Sequence, residues 1–106
     1  MKKTNDIAGI SVKELDRLRL VFKAEPLLAE VILYGSRAKG TQRPGSDIDL
    51  TLKGTALTTR WLMDLSAKID DLLLPYEVDL SIFEHIDNPD LIDHIQRVGK
   101  VVFSNE

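Results

Sequence analysis

The sequence has no cysteine, only 6% aromatic residues, and just six glycines and four prolines in 106 positions. Without cysteine there is no disulfide scaffold, no thiolate zinc or iron–sulfur site and no thiol nucleophile, and a reducing, cytoplasmic setting is expected. Long hydrophobic runs are also missing. The longest is the four residues Val31–Tyr34, far short of a membrane span, so no membrane partner is expected. The Met1–Lys3 start leads into polar residues rather than the apolar core of a signal peptide. Low-complexity stretches, internal repeats and a linker are absent, so one domain over residues 1–106 is expected.

An excess of positive charge is lacking as well. The net charge is −3, which disfavours direct nucleic-acid binding. The charge is unevenly spread, however. Residues 1–46 carry nine Lys/Arg against five Asp/Glu, and residues 47–106 carry five against twelve. A basic element facing an acidic one suits an anionic substrate held through cations.

What is present is a clear alternation of periods. Ser11-Val-Lys-Glu14 reads as a capping box opening a helix, with Val12, Leu15, Leu18 and Phe22 on its apolar stripe and Pro26 beyond its end. Val31–Tyr34 reads as a strand covered on both faces and stopping at Gly35. Ser36 to about Lys39 suits one short helical turn. In Asp47–Lys53, Ile48, Leu50 and Leu52 oppose Asp47, Asp49 and Thr51. In Glu77–Phe83, Val78, Leu80 and Ile82 oppose Glu77, Asp79 and Ser81. Both read as strands with one buried and one polar face. Between them a helix capped by Thr58 or Thr59 places Leu62, Leu65, Ile69 and Leu72/Leu73 in the core, with Pro75 stopping it. Asn88-Pro89 opens a last helix with Leu91, Ile92, Ile95 and Val98 inward, and Gly99 stands at the position of a left-handed cap. Lys100–Phe103 reads as a final strand. The expected fold class is α/β (α+β), a small mixed sheet of about four strands flanked by helices.

The chemistry concentrates in Gly35-Ser-Arg-Ala-Lys-Gly-Thr-Gln-Arg-Pro-Gly-Ser-Asp-Ile-Asp49. Period two puts Asp47 and Asp49 on one strand face, about 7 Å apart at Cα. Should the Asp79 strand lie alongside, the three carboxylates converge, each pair repelling by roughly 3 kcal/mol at ~5 Å. Such a cluster calls for cations, and hard oxygen ligands select Mg²⁺ or Mn²⁺. Upstream, the Gly35-Ser36 turn offers backbone N–H groups and a hydroxyl to phosphate. Arg37, Lys39 and Arg43 either extend that anion site or merely solvate the turn. The whole suits a nucleoside triphosphate held through Mg²⁺. A P-loop is excluded because Thr41 and Gln42 stand where Lys and Ser/Thr are required. Taken singly, Gly35-Ser36 is a turn, Asp47 a turn residue and Asp79 a solvated strand position.

Gly35-Ser36, ten residues and then Asp47-x-Asp49, with a later Asp79, resembles the signature of the DNA polymerase β-like nucleotidyltransferase superfamily. Its wording resembles the minimal nucleotidyltransferase (MNT) proteins over roughly residues 11–103. The resemblance implies the polymerase β-like fold and transfer of AMP from ATP with two Mg²⁺ ions. It implies Asp47, Asp49 and Asp79 as catalytic and metal-holding residues, Asp79 also taking the acceptor's proton, and Gly35 and Ser36 at the β- and γ-phosphates. For MNT antitoxins the implied acceptor is a tyrosine hydroxyl of a HEPN-family toxin. The phosphate turn and carboxylate strands use nearly all of the chain, so the acceptor is expected on another chain. A non-catalytic antitoxin that neutralises by binding alone is the alternative, and a transferase for a small hydroxylated molecule a third reading. Elsewhere, His85 reads as a surface or capping residue, His94 as a helix-flank residue and Trp61 as core. Asp87, Asp90 and Asp93 complement a helix dipole.

Overall fold

The structure, a computed structural model, describes residues 8–43 and 45–105; Met1–Lys3 and Pro44 of the glycine-punctuated turn lie outside them. Helix α1 covers Val12–Lys23, strand β1 Leu28–Tyr34, the short helix α2 Gly35–Lys39 and strand β2 Ile48–Gly54. Helix α3 (Thr59–Asp70), strand β3 (Val78–Ile82), a 3₁₀ turn (Phe83–His85), helix α4 (Pro89–Val98) and strand β4 (Lys100–Ser104) follow. The strands form one mixed sheet in the order β3-β2-β1-β4. β1 runs antiparallel to β2 and β4, and β2 parallel to β3.

Local chemistry starts and stops each helix. The Ser11 hydroxyl accepts from the Glu14 N–H at 3.2 Å and donates to Glu14 Oε1 at 2.9 Å. Bonds from Ser11 and then Tyr76 hold the Glu14 carboxyl below its ordinary range. Leu15, Leu18 and Phe22 are buried as expected, but Val12 is 37% exposed. Ile10, just before the cap, is buried in its place, so Ile10 and Leu15 occupy the two positions of a hydrophobic staple. Thr58 caps α3 by accepting from the Trp61 N–H at 3.1 Å. Leu65 and Ile69 are buried and Leu62 and Leu72 partly so, whereas Leu73 is 86% exposed. The reason is that α3 ends at Asp70, and Leu73 turns left-handed with φ +54°.

The apolar residues of the two alternating segments meet across the sheet. Leu50 pairs with Leu33 and Leu80, and Leu52 with Val31 and Ile82. They join Leu15, Leu18, Phe22, Leu65 and Ile69 in the main core. Trp61 is packed against it, and its indole N–H donates to Glu25 at 3.0 Å while Lys68 donates to the same carboxylate at 2.8 Å. The buried Glu25 is thereby satisfied.

The other face is covered only in part. Asn88 caps α4 with Pro89 at its start. Gly99 ends it, with extended backbone (φ −60°) rather than the left-handed cap. Glycine is needed there for closeness: a Cβ would stand 2.3 Å from the Ile95 carbonyl and 2.7 Å from Ile32 Cγ2. The end of α4 thus lies flat on β1 over Ile32, leaving the polar ends of β2 and β3 open.

Candidate active site

Register brings the predicted carboxylates together. Tyr34, Asp49 and Asp79 stand opposite one another on β1, β2 and β3. Asp47 lies just before β2, whose first backbone bond to the Asp79 segment runs from the Ile48 N–H to the Glu77 carbonyl at 2.8 Å. Asp47 and Asp79 are exposed and Asp49 is half-buried. Burial, then the charges of Asp79 and Asp47, push the Asp49 carboxyl above its ordinary range, and only a protonated His94 opposes them. Tyr34 is also pushed up, by burial and the Asp49 and Asp79 charges, against a hydrogen bond with Ser81. Behind the acidic row, the Ser81 hydroxyl donates to the fully buried Thr51 at 2.9 Å.

Gly35 is where β1 becomes α2. Its φ is +79°, and a Cβ on it would sit 2.3 Å from Asp49 Oδ2. Both facts demand glycine. Its N–H is not free for phosphate, however, because it donates to His94 Nε2 at 3.0 Å. Ser36 is left to present the next N–H and a hydroxyl at the turn.

Arg37 does not face this opening. It is 3% exposed, and its guanidinium donates twice to the Ser46 carbonyl (2.7 and 3.2 Å) and once to the Ala8 carbonyl (2.8 Å). It also lies over the Tyr76 ring, 4.9 Å from the centroid. The expectation of a phosphate contact is therefore corrected: Arg37 fixes the peptide immediately before Asp47. Lys39 and Arg43 remain exposed at the rim.

His94 is the residue that sequence reasoning missed. Read as a helix-flank residue, it reaches across 59 positions to Gly35 and sets its ring at 80° to that of Tyr34, centroids 6.1 Å apart. Its spacing beside the α4 stripe carries no sign of this. His85 stays exposed, as expected. A separate hollow of about 250 Å³ between the end of α3 and Val78 contains none of the three aspartates.

Carboxylate oxygens without cysteine are the donors that Mg²⁺ or Mn²⁺ prefers, and the raised Asp49 carboxyl is what a bound cation relieves. The donor set fits in kind. Among the described residues no three acidic or histidine side chains already close on one point.

A family model described as Polymerase beta, Nucleotidyltransferase matches residues 16–106. The chain belongs to this family. A search of curated proteins found no match. Among solved structures, a chain of a toxin–antitoxin with AMP-PNP superposes with a TM-score of 0.66 at 24% identity, covering 89% of this chain and 73% of that one. The complex of a tri-AMPylated Shewanella oneidensis HEPN toxin with an MNT antitoxin gives 0.65 at 19%, covering 88% and 71%. The toxin–antitoxin MntA-HepT gives 0.64 at 19%, covering 88% and 72%. At these identities the likeness shows a shared fold alone, and the family match makes the four-stranded mixed sheet with its helices the polymerase β-like nucleotidyltransferase fold. No helix among the described residues is long and apolar enough to cross a membrane.

Proposed function

We propose that this nucleotidyltransferase moves AMP from ATP to a tyrosine hydroxyl of a HEPN-type toxin and is that toxin's antitoxin. The observation that carries the reading is the pairing of Asp49 with Asp79, with Asp47 two residues before and the Gly35-Ser36 turn against Asp49. The AMPylated toxin and the AMP-PNP complex among its structural neighbours support the choice of nucleotide and partner.

Asp47, Asp49 and Asp79 would hold Mg²⁺, which neutralises phosphate charge and acidifies the attacking hydroxyl when bound. Ser36 offers its N–H and hydroxyl to the β- and γ-phosphates, and Lys39 adds charge at the rim. Asp79, exposed at the strand end, takes the hydroxyl proton as the oxygen attacks the α-phosphorus. The bond to the β-phosphate oxygen breaks and pyrophosphate leaves. The acceptor chain brings its tyrosine to the open side of the acidic row.

The test is intact-mass spectrometry of the partner after incubation with this protein, ATP and Mg²⁺. A partner heavier by AMP is expected, and Asp47→Asn with Asp49→Asn should remove the adduct. Full transfer by the double variant sinks the assignment of the aspartates. Neutralisation of the toxin without any adduct, surviving the double substitution, establishes the binding-only antitoxin instead.

A further inference from the structure

We infer that His94 is a positioning residue for the carboxylate site, acting through the lone pair of Nε2. The inference rests on the reading of Asp49 as a ligand of the metal–nucleotide. Three contacts carry it. A peptide N–H can only donate, so the 3.0 Å bond from Gly35 makes Nε2 an acceptor and leaves the ring proton on Nδ1. The ring packs nearly perpendicular to that of Tyr34, the β1 residue paired with Asp49. Gly35 in turn presses its Cα face against Asp49 Oδ2, closely enough to exclude a β-carbon.

His94 therefore grips the two residues that bound Asp49 on the β1 side. The Gly35 peptide has a left-handed φ, and its N–H lies at a strand-to-helix turn, where no strand partner or helical carbonyl serves it. With the acceptor removed, that peptide is free to rotate, and the stop that orients the Asp49 carboxylate moves with it. α4 is held on β1 independently by the Gly99 contact with Ile32. The helix consequently stays in place when the side chain at 94 changes, and the effect is confined to the turn.

Two variants separate the acceptor from the ring. His94→Phe keeps a ring against Tyr34 and loses the acceptor; His94→Gln keeps an acceptor oxygen and loses the ring. Each is measured, well below its Tm, for Mg·ATP binding by calorimetry and for the Gly35 amide in a ¹⁵N–¹H correlation spectrum. His94→Phe is expected to shift the Gly35 amide proton upfield and weaken Mg·ATP binding by about tenfold or more. His94→Gln is expected to return the shift and come within about threefold of wild type. If Phe prevents folding, His94→Met serves as the acceptor-free variant. A wild-type protein that takes up no Mg·ATP overturns the reading of the site and this inference with it. Wild-type binding that is unchanged in the acceptor-free variant, or lost equally in His94→Gln, overturns the inference alone.

Discussion

Gly35 and Asp49 are in such close apposition that a single added carbon on the first would lie 2.3 Å from an oxygen of the second. Gly35→Ala must therefore displace the carboxylate and also hold a left-handed φ of +79°. The backbone alone costs roughly 1–2 kcal/mol. We expect a loss of about 2 kcal/mol in urea unfolding, with Mg·ATP uptake reduced well beyond what that loss explains. Wild-type stability and uptake would mean that the turn yields without moving Asp49.

Asp49 sets a pH dependence of defined sign. Its carboxyl is raised by burial, Asp79 and Asp47, so the folded protein holds this proton more tightly than the unfolded chain. Its share of stability is complete below the ordinary carboxylate range and is lost as pH rises through the raised value. Asp49→Asn removes that loss. In the absence of divalent cations, thermal unfolding at neutral pH should show a small rise in Tm over the wild type, fading as the pH falls through the ordinary carboxylate range. Added Mg²⁺ should stabilise the wild type and leave the variant unchanged. An advantage over the wild type that is absent at neutral pH, or larger at acid pH, would contradict the sign.

Arg37 should behave as a staple. Lysine cannot bridge the Ser46 and Ala8 carbonyls that the guanidinium joins. Arg37→Lys should cost about 2–3 kcal/mol in urea unfolding because buried carbonyls lose their donors. Unchanged stability with weakened Mg·ATP binding would instead make Arg37 a phosphate ligand.

Leu73 carries an 86% exposed apolar side chain at φ +54°. Asparagine tolerates that backbone better and removes the exposed surface. Leu73→Asn should stabilise the domain by about 0.5–1 kcal/mol, read as a rise in Tm. A fall would show that the leucine packs more than its exposure indicates.

The family signature was legible because its parts are short and periodic. Asp47, Ile48 and Asp49 lie in adjacent positions, and alternation alone decides which side chain faces the core. The caps at Ser11, Thr58 and Asn88 were legible for the same reason, since each bonds within two or three residues. Val12 and Leu73 misled because they sit at helix margins. There the apolar period continues in sequence while the backbone departs from it.

Arg37 and His94 had no such local mark. An arginine beside a phosphate-type turn and a histidine on a helix flank have the same spacing whether they face solvent, ligand or backbone. Their partners lie 29 and 59 positions away, at Ala8 and Gly35. Side-chain period and capping chemistry are properties of neighbouring residues, so the chain order alone decided the elements, the core stripe and the face that Asp47 and Asp49 share, while the place of Asp79 beside Asp49 came with the parallel pairing of β2 and β3. Which buried carbonyl needed the guanidinium, and which peptide N–H needed the imidazole, depended on how α2, α4 and the Ala8 segment packed around one end of the sheet.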